Sequence, residues 1–418
     1  MSVLTSLLLV IVTARLVGRL FLRFGQPALV GEVLGGIIIG PSLLGVVSPN
    51  AALAGISELA QFLVVLSAGL EMEFRDVVSV LRRGKGLLVA VIGFLVPLAA
   101  GMLVGLAFGF DAIRTVFLGL CISITALPVA VRILESFRLL ETNIARYAVG
   151  TAVFNDVAAL LALGVILDLP ATRTFSDVTF SIAVTGGKLI LLAVLILGLN
   201  QLLEQLANRG VRLQLVPERL IDLFGNEALF GFLIVFVLVF GSISEALGFH
   251  FVIGAFFGAL LIDRQFFLVS RYHELQRTLG SITGGFLAPV FFAYIGLQFT
   301  LAGTQSPWFV AAVLVVSIGS KMLAGWLGGR MVGLPKHEAL GLGIIFNGRG
   351  IMELVVASIA FDRGFIGQGL FSTLVLMGVV TTLLTPLLFR RYTLPHLEVP
   401  APKPAVLPEP QPSASGVG

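Results

Sequence analysis

The chain is built almost entirely from apolar runs of roughly 20 residues, separated by short charged or Gly/Pro-rich breaks. That is the length an α-helix needs to cross the hydrocarbon core of a bilayer. In lipid the backbone has few alternatives, because every N–H and C=O must find its partner within the segment. The expected fold is therefore an all-α polytopic membrane protein. Composition supports this: 57% of the 418 residues are hydrophobic and only 12% charged, with a mean hydropathy of +1.04. A soluble domain carries about a quarter of its residues as charges. A soluble enzyme or a nucleic-acid binder is thereby excluded, although the net charge of +4 would otherwise suggest nucleic acid. The one cysteine, Cys121, lies inside an apolar run, so neither an intrachain disulfide nor a cysteine metal site is expected. The four histidines are scattered, without an HExxH motif or a His/Asp cluster, which argues against a metalloenzyme.

About thirteen spans are expected on the helix-length rule, near 3–23, 27–46, 56–70, 86–109, 113–135, 144–167, 178–203, 226–247, 249–262, 278–299, 307–329, 337–360 and 367–389. The first has no basic residue ahead of it and carries Arg15, Arg19 and Arg23 in its second half, which fits a first transmembrane helix better than a cleaved signal peptide. Odd-numbered connections hold most of the remaining Lys and Arg, such as Arg82, Arg83, Arg209, Arg212, Arg271 and Arg277. Even-numbered ones hold only Arg114, Arg173 and Arg363, a bias of roughly six to one. The amino terminus is therefore expected outside and the carboxyl terminus in the cytoplasm. From residue 394 to 418 the chain is Pro-rich and expected to be a disordered cytoplasmic tail.

Two halves of six spans joined by the seventh would lie in opposite orientations, the arithmetic of two inverted-topology repeats. Each half contains an interrupted helix at a corresponding place. In the fifth span, "SITALPVAV" puts Pro128 mid-helix, where it removes a backbone hydrogen bond and frees carbonyls. In the twelfth, "IIFNGRGIMEL" brings Asn347, Gly348, Arg349 and Gly350 into a glycine-flanked break. Paired interrupted helices near the midplane point to an ion site in a secondary transporter.

Charges deep in the spans narrow the site. A charge at a helix centre costs ~2.5–3.5 kcal/mol on insertion scales, so such residues face the bundle interior. Arg132 and Arg146 are within reach of the cytoplasmic surface, and Lys188 lies half-way along the seventh span. The deep acids are Asp156 and Glu353, and the deep bases are Lys321 and Arg349. Arg349 and Glu353 are four apart and can pair, either as a bridge closing a broken helix or as part of an ion path. Lys321 has no acid within a turn of its own helix. Its partner is expected to be Asp156 or Glu353, or else the negative carboxyl end of a broken half-helix. Asp156 can hold a proton or a hard cation in turn. Asn155, Thr125 and carbonyls freed around Pro128 are candidates to complete its oxygen shell. Elsewhere, Gly31, Gly35, Gly36 and Gly40 have the spacing of close helix packing, and Glu32 beside them is expected to be solvated.

These residues resemble the monovalent cation:proton antiporter-2 family of sodium or potassium/proton exchangers. The resemblance runs from about residue 20 to 391 and rests on "GQPALVGEVLGGIIIGPSLLG", "LVVLSAGLEMEF", "SITALPVAVRILE", "GTAVFNDVAALLAL", "GFLAPVFFAYIGLQF", "SIGSKMLAG" and "NGRGIMELVVASIA". It implies an antiporter fold with crossed broken helices, in a transmembrane domain of residues 1–393 of a homodimer in the cell (plasma or inner) membrane. The dimer-forming part would come from spans near 3–70 and 178–299, and the ion-carrying core from spans near 86–167 and 307–389. Asp156 would be the transport acid and Thr125 the threonine of the crossing. Lys321 would be the basic residue facing the acid pair. Arg349 and Glu353 would match the charged segment of the second broken helix. The partners are a monovalent cation (Na+, or K+ as the alternative), a proton and membrane lipid, and no cofactor is called for. Electrogenic members carry two adjacent aspartates where this chain has Asn155-Asp156, so one-for-one electroneutral exchange is expected, with an electrogenic cycle titrating Lys321 as the alternative. A channel or a sodium-coupled organic-anion symporter of the same architecture is a more distant reading.

Overall fold

The computed structural model describes residues 1–71, 84–137, 139–140, 142–167, 175–209, 215–225, 228–262, 267–301 and 305–397. Among them every regular element is helical: α1 Val3–Arg23, α2 Ala28–Ile39, α3 Ala51–Glu71, α4 Gly84–Ala107, α5 Ala112–Ser123, α6 Leu127–Ser136, α7 Asn143–Leu167, α8 Phe175–Asn208, α9 Leu215–Phe224, α10 Ala228–Ala246, α11 Phe251–Leu260, α12 Val269–Ile282, α13 Ala288–Gln298, α14 Pro307–Met331, α15 Lys336–Ile345, α16 Ile351–Asp362 and α17 Gln368–Tyr392. One π-helical turn, Thr283–Leu287, joins α12 to α13. Nine segments among the described residues are long and apolar enough to cross a bilayer. Of the other expected spans, 27–46 and 249–262 coincide with shorter helices, 337–360 is interrupted, and 178–203 lies within the 34 residues of α8. The run 27–46, for example, is helical only to Ile39 and then turns through Gly45 at φ 62.

Local chemistry sets many of the helix starts. Ser2, Asp111 and Ser306 accept a backbone N–H of the first turns of α1, α5 and α14 through their side chains, replacing partners that a helix terminus lacks. Two stretches read as loops form amphipathic helices instead. These are α9 and the first part of α12, tied together by Arg271 Nε donating to Glu218 Oε1 at 3.0 Å. Leu394–His396 form a 3-10 turn at the start of the expected tail, and the rest of the tail from 398 lies outside the described residues.

The helices pack in two groups. In one, α2 lies against α1 and α13, while α3 and α10 lie against α11. In the other, α4 and α14 pack on each other, with α5 on α4, α15 on α14, α7 beside α4 and α6, and α17 against α15 and α16. Glycines permit the closest of these contacts: a Cβ on Gly101 of α4 would stand 2.7 Å from Gly119 Cα of α5. The glycines of α2 act as their spacing predicts, with Gly31 and Gly35 against α1 and Gly36 against α13. Glu32 departs from expectation. It is 5% exposed, packed against Gly18 of α1, because the glycine-lined contact draws its helix face inward.

Candidate functional site

Both interrupted helices are present, and their breaks meet. Helix α5 stops at Ser123, and Ile124 turns to extended backbone at φ −70, ψ 141. Helix α6 begins only after Ala126. Pro128 is therefore not the mid-helix breaker expected from the sequence. It sits in the first turn of α6, where its missing N–H is not needed and its fixed φ suits a helix start. In the second break Asn347, Gly348, Arg349 and Gly350 separate α15 from α16, as expected. The two extended stretches are joined by Ala126 N donating to Gly348 O at 2.9 Å and by Thr125 Oγ1 donating to Phe346 O at 3.1 Å. The approach is close enough that a Cβ on Gly350 would lie 2.6 Å from the Ala126 Cβ.

A helix that ends inside a protein leaves carbonyls without intrahelical donors and a partial negative charge. At α5 the surrounding side chains meet this need. Ser123 Oγ donates to Leu120 O at 2.7 Å, and Arg349 Nη1 donates to Cys121 O and, at 3.1 Å, to Ile124 O. Ser123 O accepts from Lys321 Nζ and from Asn155 Nδ2, the latter at 3.2 Å. Of the partners open to Lys321, the structure selects the carboxyl end of the half-helix. The buried ion pair among the described residues is the predicted one between Arg349 of the second break and Glu353 of α16, Nε to Oε2 at 3.6 Å.

Lys321 makes two more contacts, to Thr125 Oγ1 at 2.7 Å and Gly93 O at 3.4 Å. The second depends on Pro97 inside α4: a proline four residues on has no N–H to offer Gly93, so that carbonyl is free to accept from outside the helix. The hydrogen of Thr125 is given to Phe346 O, so its oxygen must accept from Lys321. Three acceptors around one nitrogen match the three N–H groups of the ammonium form of lysine.

Asn155 and Asp156 lie on α7 and are 0% and 3% exposed. The amide nitrogen of Asn155 also donates to Thr125 Oγ1 at 3.1 Å. Thr125 thus donates once and accepts twice, which exhausts its hydroxyl. The carbonyls of Cys121, Ser123 and Ile124 at the first break are likewise taken by Lys321, Arg349 and Asn155. The buried oxygens of α7 that accept no hydrogen bond are Asn155 Oδ1, Asp156 Oδ1 and Thr151 Oγ1, and Asn347 Oδ1 in the second break joins them. Glu353 is fully buried in the first turn of α16, where a helix amino terminus favours a carboxylate.

Three contributors were not singled out from the sequence: Ser123, Pro97 and Thr382. Thr382 of α17 accepts from Arg349 N and donates to Arg349 O, both at 3.1 Å, clipping the backbone of the break. A proline four residues after a glycine within an apolar span was the available signal for Pro97. The run "TTLLT" in an apolar helix was the signal for Thr382.

A family model described as "Sodium/hydrogen exchanger, transmembrane" matches residues 8–392. The Na+/H+-K+ antiporter GerN of Bacillus cereus is 26% identical over 90% of this chain and 93% of its own length. The Na+/H+ antiporter NhaS4 of Synechocystis sp. is 28% identical over 94% of this chain and 98% of its own. In structure the chain is similar to the sodium proton antiporter MjNhaP1 of Methanocaldococcus jannaschii, with TM-score 0.67, 17% identity and coverage of 92% of this chain and 95% of that one.

Proposed function

The chain belongs to the sodium/hydrogen exchanger family and is an integral membrane cation/proton antiporter, and from this premise we propose that it exchanges Na+ for H+ one for one at Asp156. The observation that carries the reading is the contrast between oxygens at the crossing. The carbonyls of Cys121, Ser123 and Ile124 and the hydroxyl of Thr125 are engaged, whereas Asp156 Oδ1 and Asn155 Oδ1 are buried and accept no hydrogen bond. A hard cation is held by such oxygens, and a proton takes the same carboxylate in its absence. Asp156 and Asn155 are the ligands in this reading. Thr125 positions them, and joins the shell only if Lys321 or Asn155 releases it. Glu353 and Arg349 neutralise each other beside the break.

Lys321 supports the one-for-one stoichiometry. Its three donors are all engaged by acceptors of the scaffold, so it holds its proton whether Asp156 carries H+ or Na+. The amide at 155 adds an oxygen without a second titrating group. K+ remains the alternative cation, since it appears in the name of the Bacillus relative. In this reading the group of α1, α2, α3, α10, α11 and α13 is the dimer-forming part of a homodimer. The group of α4–α7 and α14–α17 is the core that moves against it, with the amino terminus outside.

Reconstitution into liposomes with a trapped pH dye tests the assignment. Na+ or K+ pulses should move protons through the wild type and not through Asp156→Asn, and a potential clamped by an ionophore should leave the rate unchanged. Exchange retained by Asp156→Asn refutes the site, and a rate that follows the clamped potential refutes electroneutrality.

A further inference from the structure

Away from the crossing, a cleft lies between α3 of one helix group and α16 of the other. Its inner chamber, about 230 Å³, is lined by Ser57, Glu58, Gln61, Tyr294, Ser358 and Asp362. It shares Glu58, Gln61 and Asp362 with a wider chamber of about 440 Å³ that also meets Glu245, His250 and Arg363. At ~30 Å³ per water the inner chamber holds roughly seven water-sized molecules, enough for a cation with part of its hydration shell.

The charges favour a cation. Glu58 and Asp362 are both exposed to the cleft, and the wider chamber sets three carboxylates against one guanidinium. His250 adds no positive charge. Its Nδ1 accepts from Val252 N at 3.3 Å, and burial together with Arg363 pushes its pKa down to about 4. Asp362 is aimed by Ser358 Oγ, which donates to its Oδ2 at 3.2 Å, and by Gln298 Nε2, 3.5 Å from its Oδ1. An independent feature is Gln61. It is 6% exposed and lines both chambers, and its amide nitrogen has no partner. Half a turn of that amide presents its oxygen in place of the nitrogen, so it can face either a cation or a bare carboxylate.

We propose that Glu58, Asp362 and Gln61 form a binding site for a partly hydrated monovalent cation, in the cleft between α3 and α16. The identity of that cation as the exchanged one rests on the transport reading above. Asp362 ends the half-helix that begins beside the crossing with Glu353, nine residues or about 13 Å earlier along its axis. The site is a staging position. There a cation exchanges some of its water for carboxylate oxygens before the deeper, drier site strips the rest. A divalent ion would need more oxygens than these two acids and one amide supply.

The test is the double variant Glu58→Gln/Asp362→Asn in liposomes carrying the protein in one orientation, with Na+ and K+ titrated on each face in turn. The half-saturating concentration on the amino-terminal face should rise about fivefold or more, with maximal rate and opposite-face value within about twofold, the split of a lost binding contact rather than a lost chemical step. Unchanged half-saturation overturns the proposal, as does an equal change on both faces. An effect confined to the other face overturns it as well. A second arm is independent of transport: line broadening of the 23Na resonance by the Asp156→Asn protein, compared with the triple variant. Broadening by Asp156→Asn that the triple variant lacks supports the outer site even if the wild type exchanges nothing. No broadening by Asp156→Asn, or broadening that survives in the triple variant, overturns it.

Discussion

Replacing Gly350 by Ala places a methyl against the opposite break. The added Cβ would stand 2.6 Å from the Ala126 Cβ, whereas carbon atoms rest at ~3.5–4.0 Å. The two extended stretches must separate by roughly 1 Å to admit it. They are held by Ala126 N to Gly348 O at 2.9 Å and Thr125 Oγ1 to Phe346 O at 3.1 Å, bonds that such a shift would break. Overpacking of this kind costs about 1–3 kcal/mol, and a buried N–H left without its acceptor adds about 1–3 kcal/mol. Gly350→Ala is thus expected to lose about 2–6 kcal/mol of stability and most cation-driven proton movement. The discriminating experiment is the cycle with Ala126→Gly, which removes the methyl being struck. The double variant should recover stability and exchange relative to Gly350→Ala, a coupling of about 1–3 kcal/mol. Gly348→Ala, whose nearest neighbour is the movable Val129 Cγ1 at 3.0 Å, should be milder. Thermal unfolding in detergent and the liposome assay read both quantities. If Ala126→Gly leaves the Gly350→Ala defect untouched, the geometry of the crossing argued above is wrong.

Thr382→Val should destabilise by about 2–4 kcal/mol in thermal unfolding, because it strands the N–H and C=O of Arg349, and Thr382→Ser should stay within about 1 kcal/mol of wild type. Lys321→Met should lower stability by a similar amount in wild-type and Asp156→Asn backgrounds, since its contacts are to Ser123 O, Thr125 and Gly93 O; strong non-additivity would show that the acid is its partner. His250, whose pKa falls from the ordinary 6.5 to about 4 in the folded protein, takes up its proton in the unfolded state first. Stability should therefore be complete above pH 6.5 and fall as pH drops towards 4, by at most about 2 kcal/mol between pH 7 and 5. His250→Asn keeps an acceptor for the α11 amino terminus and should flatten that slope.

The parts legible in the sequence are those set by a local pattern. Apolar run length predicted helices along nearly the whole chain. The glycines around Asn347 located the second break correctly, because glycine-flanked polar residues in an apolar run have few other roles. The i, i+4 spacing gave the Arg349–Glu353 pair. What was missed depends on distant parts of the chain. Pro128 marks the start of α6 rather than the break itself, since a proline is as compatible with a first turn as with an interruption, and the sequence alone does not separate the two. The partners of Lys321 are carbonyls from residues 93 and 123, and any sequence search for an opposite charge overlooks a backbone oxygen. The position of Glu32 at the cytoplasmic entry points to solvent, while the packing of Gly18 and Gly31 decides its burial.

The carbonyl end of α5 also gives a reason for an amide beside Asp156. Ser123 O, the last carbonyl of α5, is shared by Lys321 and by the nitrogen of Asn155. A carboxylate at 155 has no hydrogen to give that carbonyl or the Thr125 oxygen, and would draw Lys321 towards itself instead. Two acids would then compete for one ammonium, and its protonation would become linked to the cycle. With asparagine, the amide shares the negative end of the half-helix with Lys321 and Arg349, and the lysine stays bound to the scaffold as a fixed charge. Asp156 is then the acid next to that fixed charge without being tied to it. On this argument the residue at 155 sets stoichiometry through the backbone it caps as much as through the proton it lacks. Asn155→Asp should therefore introduce a voltage-dependent rate in the clamped-liposome assay, and a rate that stays independent of potential would mean that Lys321 remains on Ser123 O whatever stands beside it.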